Sequence, residues 1–434
     1  MSISNAMQTG VSGLQANSTK VGRISDNIAN ANTDGYRRTF AQMVTSTSSS
    51  ATGIAPLGVR AVEGADIAKE GSLRPTSSAT DLGIGGSGFF VVSKNPNDPV
   101  LANYTLTRAG AFLPDKDGNL RNAAGLYLAG FPYDSTGSLG AVNRTGFGDL
   151  ETVNVGSFTL PGEATAAMSI MGNLPAQETG LATPGAPFIS TAEYFTPLGA
   201  AEQLQFSWQP SATANQWDLE ISDLSGTTYG TVTVDFNDSG ALAGTPLAYS
   251  NITNTAPAPA NFAFDPATGV ATLTINNGAT PQVIDLTVGA PGSFDGMTQF
   301  AGDYSPPKFE ADGFETGTLL RAEIDERGDV YGIFDNGNRQ LLYNIPLAEV
   351  TNPNGLLAQD GNAYTLSRDS GTMQLNTASS GLTGKIVSQS LESSNVEVAQ
   401  ELTDLIQTQR AYSSNAKIIT TVDEMLDETM RLKR

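Results

Sequence analysis

The two ends of the chain carry apolar and small residues at alternating spacings of four and three, and the middle does not. Near the N-terminus this row is Ile3, Met7, Gly10, Leu14, Asn17, Val21, Ile24, Ile28 and Ala31. Near the C-terminus one row repeats every seven residues and a second follows each member by four: Val398, Leu405, Tyr412, Ile419 and Leu426, then Leu402, Gln409, Ala416, Asp423 and Met430. A repeat of about 3.5 residues buries a narrow stripe of one helix against another. The pattern predicts a helix at each end, paired as a coiled coil.

The N-terminal helix is predicted over residues 2–31, with Ser2 or Ser4 as its N-cap. The sequence Asn-Thr-Asp-Gly at 32–35 ends this helix, because Gly35 can adopt the positive φ that a helix end requires.

The C-terminal helix is predicted to begin at Ser394, where Ser394 and Glu397 have the spacing of a capping box. It runs to about Leu432 and therefore spans roughly 55–60 Å at 1.5 Å per residue. The small, polar segment 45–55 predicts a flexible connection after the first helix.

From about residue 70 the apolar period changes to that of strands. Residues 88–93 predict a buried strand, 104–108 a half-buried strand, and 115–119 (Asp-Lys-Asp-Gly-Asn) a hairpin turn. Residues 150–300 are rich in Ala, Thr, Gly and Pro with alternating apolar runs, and predict an all-β domain, either a sandwich or a barrel. Residues 315–350 resume the earlier strand-and-turn pattern.

Length and composition favour several domains and exclude much chemistry. The 434 residues exceed one compact core, and 46 Gly with 22 Pro favour short strands over a helical body. With no Cys and no His, the chain cannot form a Ser-His-Asp or Cys-His triad, a thiolate or imidazole zinc site, or a disulfide. We expect no membrane span, since no run approaches roughly 20 apolar residues. We also expect no cleavable signal peptide, since residues 1–20 lack a basic start.

The charge is concentrated in the middle of the chain. The formal net charge is −21, from 23 basic and 44 acidic residues, and residues 71–370 alone hold 11 basic and 31 acidic ones. The nearly neutral ends can pack, whereas the acidic body keeps copies soluble and mutually repelling. Nucleic acid is not an expected partner, because phosphate binding requires clustered Lys and Arg.

Three short motifs match part of the sequence pattern of a ligand site but lack other features that such a site requires. Residues 83–88 fit Gly-x-Gly-x-x-Gly, but they lead into a strand rather than a helix and are interpreted as a glycine-rich turn. Gly384-Lys385 lacks the first Gly and the final Ser or Thr of a phosphate loop. Residues 115–118 start like a calcium loop, but the Gly comes too early and no Glu closes the loop. Two neighbouring carboxylates among the 44 would be weak evidence for a catalytic pair, because most Asp and Glu residues are solvated at the surface. We therefore expect that the chain is not an enzyme and has no catalytic, cofactor or metal site.

Spacing alone leaves two interpretations of the terminal helices open. An amphipathic helix packed within its own chain shows the same apolar spacing as one that pairs with other copies. The polar residues within the rows, Asn17, Gln409 and Asp423, favour assembly, because polar seam residues fix register and prevent indiscriminate association.

Residues 27–38 (NIANANTDGYRR) closely resemble the N-terminal signature of bacterial flagellar rod and hook proteins. Further segments resemble the C-terminal signature of this family and its central β domain: 391–396, 409–412 and 415–417, then 81–84, 88–92 and 107–110. Within the family the chain is most similar to hook proteins, because residues 335–347 resemble their return into an inner β domain. Residues 150–300 show no such resemblance.

The resemblance implies a mainly β body with α-helical coiled-coil termini and nested domains. Residues 1–70 and 371–434 would form the terminal assembly region, 71–150 and 301–370 a discontinuous inner β domain, and 151–300 an outer all-β domain inserted in it. The residues expected to carry assembly are Ile3, Met7, Leu14, Val21, Ile24, Asn27, Ile28, Asn30, Thr33, Gly35 and Tyr36, with Val398, Leu402, Leu405, Tyr412, Ile419 and Leu426.

The same resemblance implies a structural subunit that leaves the cell uncleaved through the flagellar type III export apparatus. It would polymerise under a hook cap into the extracellular hook, the curved, flexible joint that transmits torque from rod to filament. Expected partners are further copies, the rod, the hook cap and the hook–filament junction proteins. One alternative is a distal-rod or junction subunit of the same family. Another, of a different class, is a secreted carbohydrate-binding protein or carboxylate-dependent enzyme that uses residues 150–300.

Overall fold

The computed structural model of the chain describes residues 3–50, 53–134, 136–156, 158–278, 280–381 and 383–432. Helix α1 (Ile3–Ala29) begins the described chain and helix α2 (Val398–Leu432) ends it, with mostly strands between them. The predicted mainly β body with a helix at each end is therefore confirmed.

Two compact units make up the chain. Unit 1 comprises Met1–Ser157, Leu320–Ile333 and Arg339–Arg434. Unit 2 comprises Phe158–Leu319 and Phe334–Asn338.

The first ten strands lie in the N-terminal segment of unit 1: β1 Thr39–Ser50, β2 Gly53–Ala65, β3 Leu73–Pro75, β4 Leu82–Gly85, β5 Phe89–Ser93, β6 Tyr104–Thr107, β7 Phe112–Pro114, β8 Leu120–Asn122, β9 Tyr127–Pro132 and β10 Glu151–Thr152. The next twelve lie in unit 2: β11 Thr159–Leu160, β12 Ala167–Pro175, β13 Phe188–Phe195, β14 Ala201–Pro210, β15 Gln216–Asp223, β16 Thr228–Phe236, β17 Pro246–Asn254, β18 Asn261–Asp265, β19 Val270–Ile275, β20 Gln282–Thr287, β21 Met297–Phe300 and β22 Ser305–Ala311. The last are β23 Gly317–Ile324, β24 Asp329–Phe334, β25 Arg339–Asn344, β26 Pro346–Val350, β27 Leu357–Gln359, β28 Ala363–Thr365, β29 Met373–Thr377, β30 Lys385–Ser388 and β31 Ser390–Glu392.

A long hairpin follows α1 where the sequence predicted a flexible connection. Strands β1 and β2 pair antiparallel, with Thr39 opposite Ala65 and Val44 opposite Arg60. The prediction for 45–55 is wrong for its described residues, because β-branched residues such as Thr45 and Thr47 suit the pleated surface of a strand. Residues 51 and 52 of that prediction lie outside the described chain.

Helix α2 begins four residues later than predicted, and the capping box is not formed. The Ser394 hydroxyl accepts the N–H of Val396 at 3.3 Å. The side-chain amide of Asn395 donates to the carbonyls of Asp66 and Lys69 at 3.0 and 2.9 Å. These distant contacts hold Asn395 outside the helix, which begins only at Val398.

A central sheet forms the core of unit 1, with strand order β24-β25-β9-β5-β6-β28-β27. Its apolar side chains meet in one cluster that includes Phe89, Leu106, Phe131 and Leu375. Strand β6 is buried at all four positions, so the prediction of a half-buried strand is wrong. The reason is that β6 lies inside the sheet, between β5 and β28, where Tyr104 and Leu106 join the apolar core and the Thr107 hydroxyl donates to the Asn362 carbonyl at 2.8 Å.

Unit 2 contains two sheets that share one apolar core. Strands β13 to β17 form an antiparallel meander, and the second sheet has the order β18-β19-β20-β12-β21 with β22 also beside β12. Both tryptophans of the chain, Trp208 and Trp217, are fully buried in this core.

The motifs rejected at the sequence level are turns. Strands β7 and β8 form the predicted hairpin, and the Asp115 carboxylate accepts the N–H groups of Asp117 and Asn119, both at 2.9 Å. Of the glycine-rich residues 83–88, the first three belong to strand β4 and the last three connect it to strand β5.

Candidate assembly surface of the terminal helices

Helices α1 and α2 pack side by side in antiparallel directions. A Cβ atom at Gly10 would lie 3.0 Å from Ile419 Cγ1, and one at Gly13 would lie 2.7 Å from the Asn415 amide nitrogen. Beyond the C-terminal end of α1, Arg38 contacts Glu401 in the first turn of α2. Glycine weakens an isolated helix, but at these two positions its missing side chain lets the backbones approach closely.

The predicted apolar row of α1 is partly covered in the chain. Ile24 is 3% exposed, whereas Met7 is 45% exposed. The half-buried members of the row are Leu14, Val21 and Ile28. Ile3 begins the helix, and its side chain lies outside the described residues.

Much of the predicted row of α2 faces solvent. Leu405 and Ile419 are half-buried, whereas the exposed members are Val398 at 41%, Leu402 at 46%, Tyr412 at 44% and Leu426 at 38%. Other apolar side chains of α2 are also exposed, namely Ile406, Ile418, Met425 and Met430.

A different row of α2 faces the rest of the chain, and this row was not predicted from the sequence. This row also repeats every seven residues and contains Glu401, Thr408, Asn415 and Val422, of which all but the half-buried Asn415 are buried. Three of its four members are polar, so a search for apolar periodicity could not find it.

An open groove of about 440 Å³ lies between the two helices. It is lined by Ser18 and Val21 of α1 and by Gln409, Tyr412 and Ser413 of α2. The pair of helices therefore leaves apolar and polar surface accessible on both partners.

Asn27 fixes the path of the chain from α1 into the hairpin. Its amide donates to the Thr39 carbonyl at 2.7 Å and its side-chain oxygen accepts the Thr39 N–H at 2.9 Å. The same oxygen accepts the Tyr36 hydroxyl at 3.2 Å, and burial raises the pKa of Tyr36. The buried amide thus satisfies both backbone polar groups of Thr39, the first residue of β1.

Asn30, Thr33 and Gly35 shape the end of α1. The Asn30 amide donates to the carbonyl of Asp26 at 2.9 Å, and the Thr33 hydroxyl donates to Asn30 at 3.2 Å. Gly35 has a φ of 72°, and a Cβ atom there would lie 2.6 Å from the backbone nitrogen of Ala109. Only glycine combines this left-handed conformation with so close an approach.

Glu392 forms a buried ion cluster with two arginines from distant segments. Its carboxylate accepts Arg37 Nη2 at 2.6 Å and Arg108 Nη1 at 2.9 Å, with side-chain exposures of 0%, 1% and 3% for the three residues. It also accepts the N–H of Gly71 at 2.8 Å. Burial lowers the pKa of Arg108, and the facing carboxylate of Glu392 opposes this effect. The cluster joins the end of the N-terminal signature, strand β31 before α2 and the central sheet.

A second ion cluster surrounds Arg38. Its guanidinium lies 2.5 Å from Glu401, 3.6 Å from Asp66 and 3.7 Å from Asp404. Its backbone N–H donates to the Asn395 side chain at 2.7 Å. No role was predicted from the sequence for Arg37, Arg38 or Glu392, although all three lie within the segments that resemble the family signatures.

Among the described residues no group of three or more carboxylates is arranged to hold a metal ion. No helix in the described part of the chain has the length and apolarity needed to cross a membrane.

Three profiles of protein families match parts of the chain. Residues 7–37 match "Flagella basal body rod protein", and 387–432 match "Flagellar basal body rod FlgEFG protein C-terminal". Residues 188–314 match "Flagellar basal body protein FlaE D2 domain". Residues 150–300 showed no resemblance to the family in the sequence analysis, and this third match relates most of them to it. The similarity was not visible because these strands carry no distinctive motif.

Several flagellar hook proteins named FlgE are similar to the chain over its whole length. Identity is 33% over 441 residues to that of Brucella suis biovar 1 and 35% over 445 residues to that of Rhizobium meliloti, with 100% of both chains covered in each case. Identity to the Escherichia coli protein is 27%, covering 99% of this chain and 100% of that one. Among solved structures, the FlgE2 hook protein of Helicobacter pylori aligns with a TM-score of 0.47 and 14% identity, covering 74% of this chain and 100% of that chain.

Proposed function

Since this chain belongs to the flagellar hook protein family, we propose that it is exported and polymerises as a structural subunit of the flagellar hook. It is a protein of the hook and basal body and serves motility. In the polymer it forms the curved, flexible joint that transmits torque from the rod to the filament.

The exposed apolar side chains of α2 are the observation that carries this proposal. Eight apolar side chains of this helix are between 38% and 72% exposed, from Val398 to Met430. Burying apolar surface contributes about 25 cal/mol per Å², so covering these side chains would stabilise an assembly. Copies of the same chain would cover them and the groove beside Tyr412.

The proposal assigns a different mechanical role to each part of the chain. Residues 1–70 and 371–434 form the assembly region, 71–150 with 301–370 an inner β domain, and 151–300 an outer domain inserted in it. The contacts between copies are carried by the exposed apolar members of the predicted rows, including Met7, Val398, Leu402, Tyr412 and Leu426. Torque requires a stiff connection between the helices and the β body, and the ion cluster of Glu392 supports this because it ties both helix connections to the central sheet.

The partners follow from the place of such a subunit in the flagellum. We propose contacts with the rod, the hook cap and the hook–filament junction proteins, and passage through the type III export apparatus without cleavage. We also propose that the chain is not an enzyme and carries no cofactor, since it lacks Cys and His.

Substitution of an exposed apolar residue of α2 tests the proposal on the full-length chain. Leu402→Asp places a charge on the assembly face, where its desolvation on assembly would be unfavourable. We expect at least a tenfold loss of sedimentable polymer, measured by centrifugation and negative-stain electron microscopy, with unchanged circular dichroism of the monomer.

Leu113→Asp is the matched control, because Leu113 is also an exposed leucine of unit 1, at 64%, but lies in strand β7. This variant should polymerise like the parent chain. Normal tubes from Leu402→Asp, or equal loss in both variants, would contradict assembly through α2.

A further inference from the structure

The exposed side of α2 carries two charged groups of opposite sign. The basic pair consists of Arg410 and Lys417, and the acidic group consists of Asp423, Glu424, Asp427 and Glu428. All six side chains are exposed. None of them takes part in an ion pair within the described part of the chain.

The acidic group disfavours the helix that carries it. Asp423 with Asp427, and Glu424 with Glu428, are like charges four residues apart, which repel each other on a helix surface. The group also lies near the C-terminal end of α2, where the helix dipole favours cations. Arg431 supplies one cation three residues after Glu428, so the four carboxylates still leave a net negative charge for a partner to compensate.

Exposed apolar side chains lie directly beside these charges. Ile418 follows Lys417 and is 45% exposed, and Met425 follows Glu424 and is 52% exposed. Each charged group thus borders apolar surface that a partner would bury. An apolar strip flanked by charges of alternating sign is how paired helices select their register.

We propose that α2 of one copy docks in parallel on α2 of a second copy, shifted along the helix axis so that the acidic group of one faces the basic pair of the other. The centres of the two groups are about 12 residues apart, so the shift is about 18 Å at 1.5 Å per residue. Zero shift would place like charges opposite each other at every group. This inference rests on the proposed polymer and specifies one contact within it.

Parallel docking with a shift leaves the same surfaces free at both ends, so each copy can add another. An antiparallel arrangement would instead satisfy both groups within a closed pair and stop growth. The charge pattern therefore favours an open, head-to-tail contact, consistent with a polymer.

Charge reversal on the full-length chain tests the contact. The basic-pair variant carries Arg410→Glu with Lys417→Glu. The acidic-group variant carries Asp423→Lys, Glu424→Lys, Asp427→Lys and Glu428→Lys, and a combined variant carries all six substitutions. Both the basic-pair and the acidic-group variant should raise the critical concentration for polymerisation at least tenfold, equivalent to about 1.4 kcal/mol. The combined variant should return to within about threefold of the parent chain, because its two groups again have opposite charges. An equimolar mixture of the basic-pair and acidic-group variants should also form polymer.

Lys94→Glu with Arg368→Glu is the matched control for the basic-pair variant, since it makes the same change in net charge at exposed positions outside the helices. This control should polymerise normally. Parent-like polymerisation of both the basic-pair and the acidic-group variant, failure of the combined variant with normal monomer circular dichroism, or closed dimers in place of polymer would overturn the staggered contact while leaving the proposed function intact. Failure of the parent chain itself to polymerise would overturn the proposed function, and this contact with it.

Discussion

The buried carboxylate of Glu392 offers the sharpest test of how the terminal helices are fixed to unit 1. Glu392→Gln keeps the shape of the side chain and removes its charge. The Arg37 and Arg108 guanidiniums, at 1% and 3% side-chain exposure, then lose their carboxylate partner. The new amide also presents N–H donors where the pocket offers donors from both arginines and from Gly71.

The expected cost follows from the contacts that are lost. Removing one partner of a buried ion pair costs about 3–5 kcal/mol, because it leaves an uncompensated buried charge. Here one carboxylate serves two guanidiniums, so we expect a loss of about 4 kcal/mol in the free energy of unfolding of unit 1. With a urea dependence of about 2 kcal/mol per M, the midpoint of the transition falls by about 2 M.

The two units can be followed separately in one sample of the monomer. Both tryptophans lie in the core of unit 2, so tryptophan fluorescence reports its unfolding. Helices α1 and α2 both belong to unit 1, so circular dichroism at 222 nm reports mainly on unit 1. Glu392→Gln should shift the dichroism transition and leave the fluorescence transition in place.

Glu397→Gln is the control, because Glu397 has a 75% exposed side chain and one ion pair, with Lys69 at 3.3 Å. Exposed pairs contribute about 0–1 kcal/mol, so its dichroism transition should hardly move. A loss below about 1 kcal/mol for Glu392→Gln would refute the reasoning, and so would equal shifts of both signals.

Three further predictions concern unit 1 and use the same dichroism assay. Gly35→Ala should lower the stability of unit 1 by about 2–3 kcal/mol, because Gly35 has a positive φ and lies close to Ala109. Gly22→Ala is the control, at an open position in α1, and should leave stability unchanged or raise it by up to about 1 kcal/mol. A larger loss for Gly22→Ala than for Gly35→Ala would contradict the assigned contacts. Asn27→Ala should cost about 2 kcal/mol, since both backbone groups of Thr39 lose their partner, and parent-like stability would argue against that role. Hydrogen bonds, first from the Val100 N–H, lower the pKa of Asp98; its stabilising contribution is present above the unfolded-state pKa and is lost as pH falls through the folded-state pKa. Asp98→Asn should therefore flatten the acid limb of the stability curve, and an unchanged limb would exclude this origin.

The terminal helices were predicted from local pattern alone. The apolar period gave 2–31 for a helix observed at Ile3–Ala29, because the repeat and the Gly35 stop lie within the segment itself. The start of α2 was predicted four residues too early. Its first predicted turn is held outside the helix, since the Asn395 amide donates to the carbonyls of Asp66 and Lys69, more than 300 residues away in sequence.

The candidate surface was predicted in part. Five of the eight exposed apolar residues of α2 were named in advance, because their spacing is visible in the sequence, whereas Ile406, Ile418 and Met425 lie outside the predicted rows. The row Glu401, Thr408, Asn415 and Val422 that faces the chain was not, since mostly polar residues carry no apolar period. Which face of a helix is covered depends on its neighbours, and a single periodic pattern does not identify them.

The sequence by itself determined the class of the protein, the helices at its two ends and the absence of His and Cys chemistry, because composition and short-range periodicity depend only on neighbouring residues. Only the tertiary structure decided what the signature residues do. Arg37 and Glu392 are 355 positions apart, yet their side chains meet in a buried site that Arg108 completes. Such contacts depend on how distant segments fold onto one another, and a charge becomes important for stability only where folding has removed water from it.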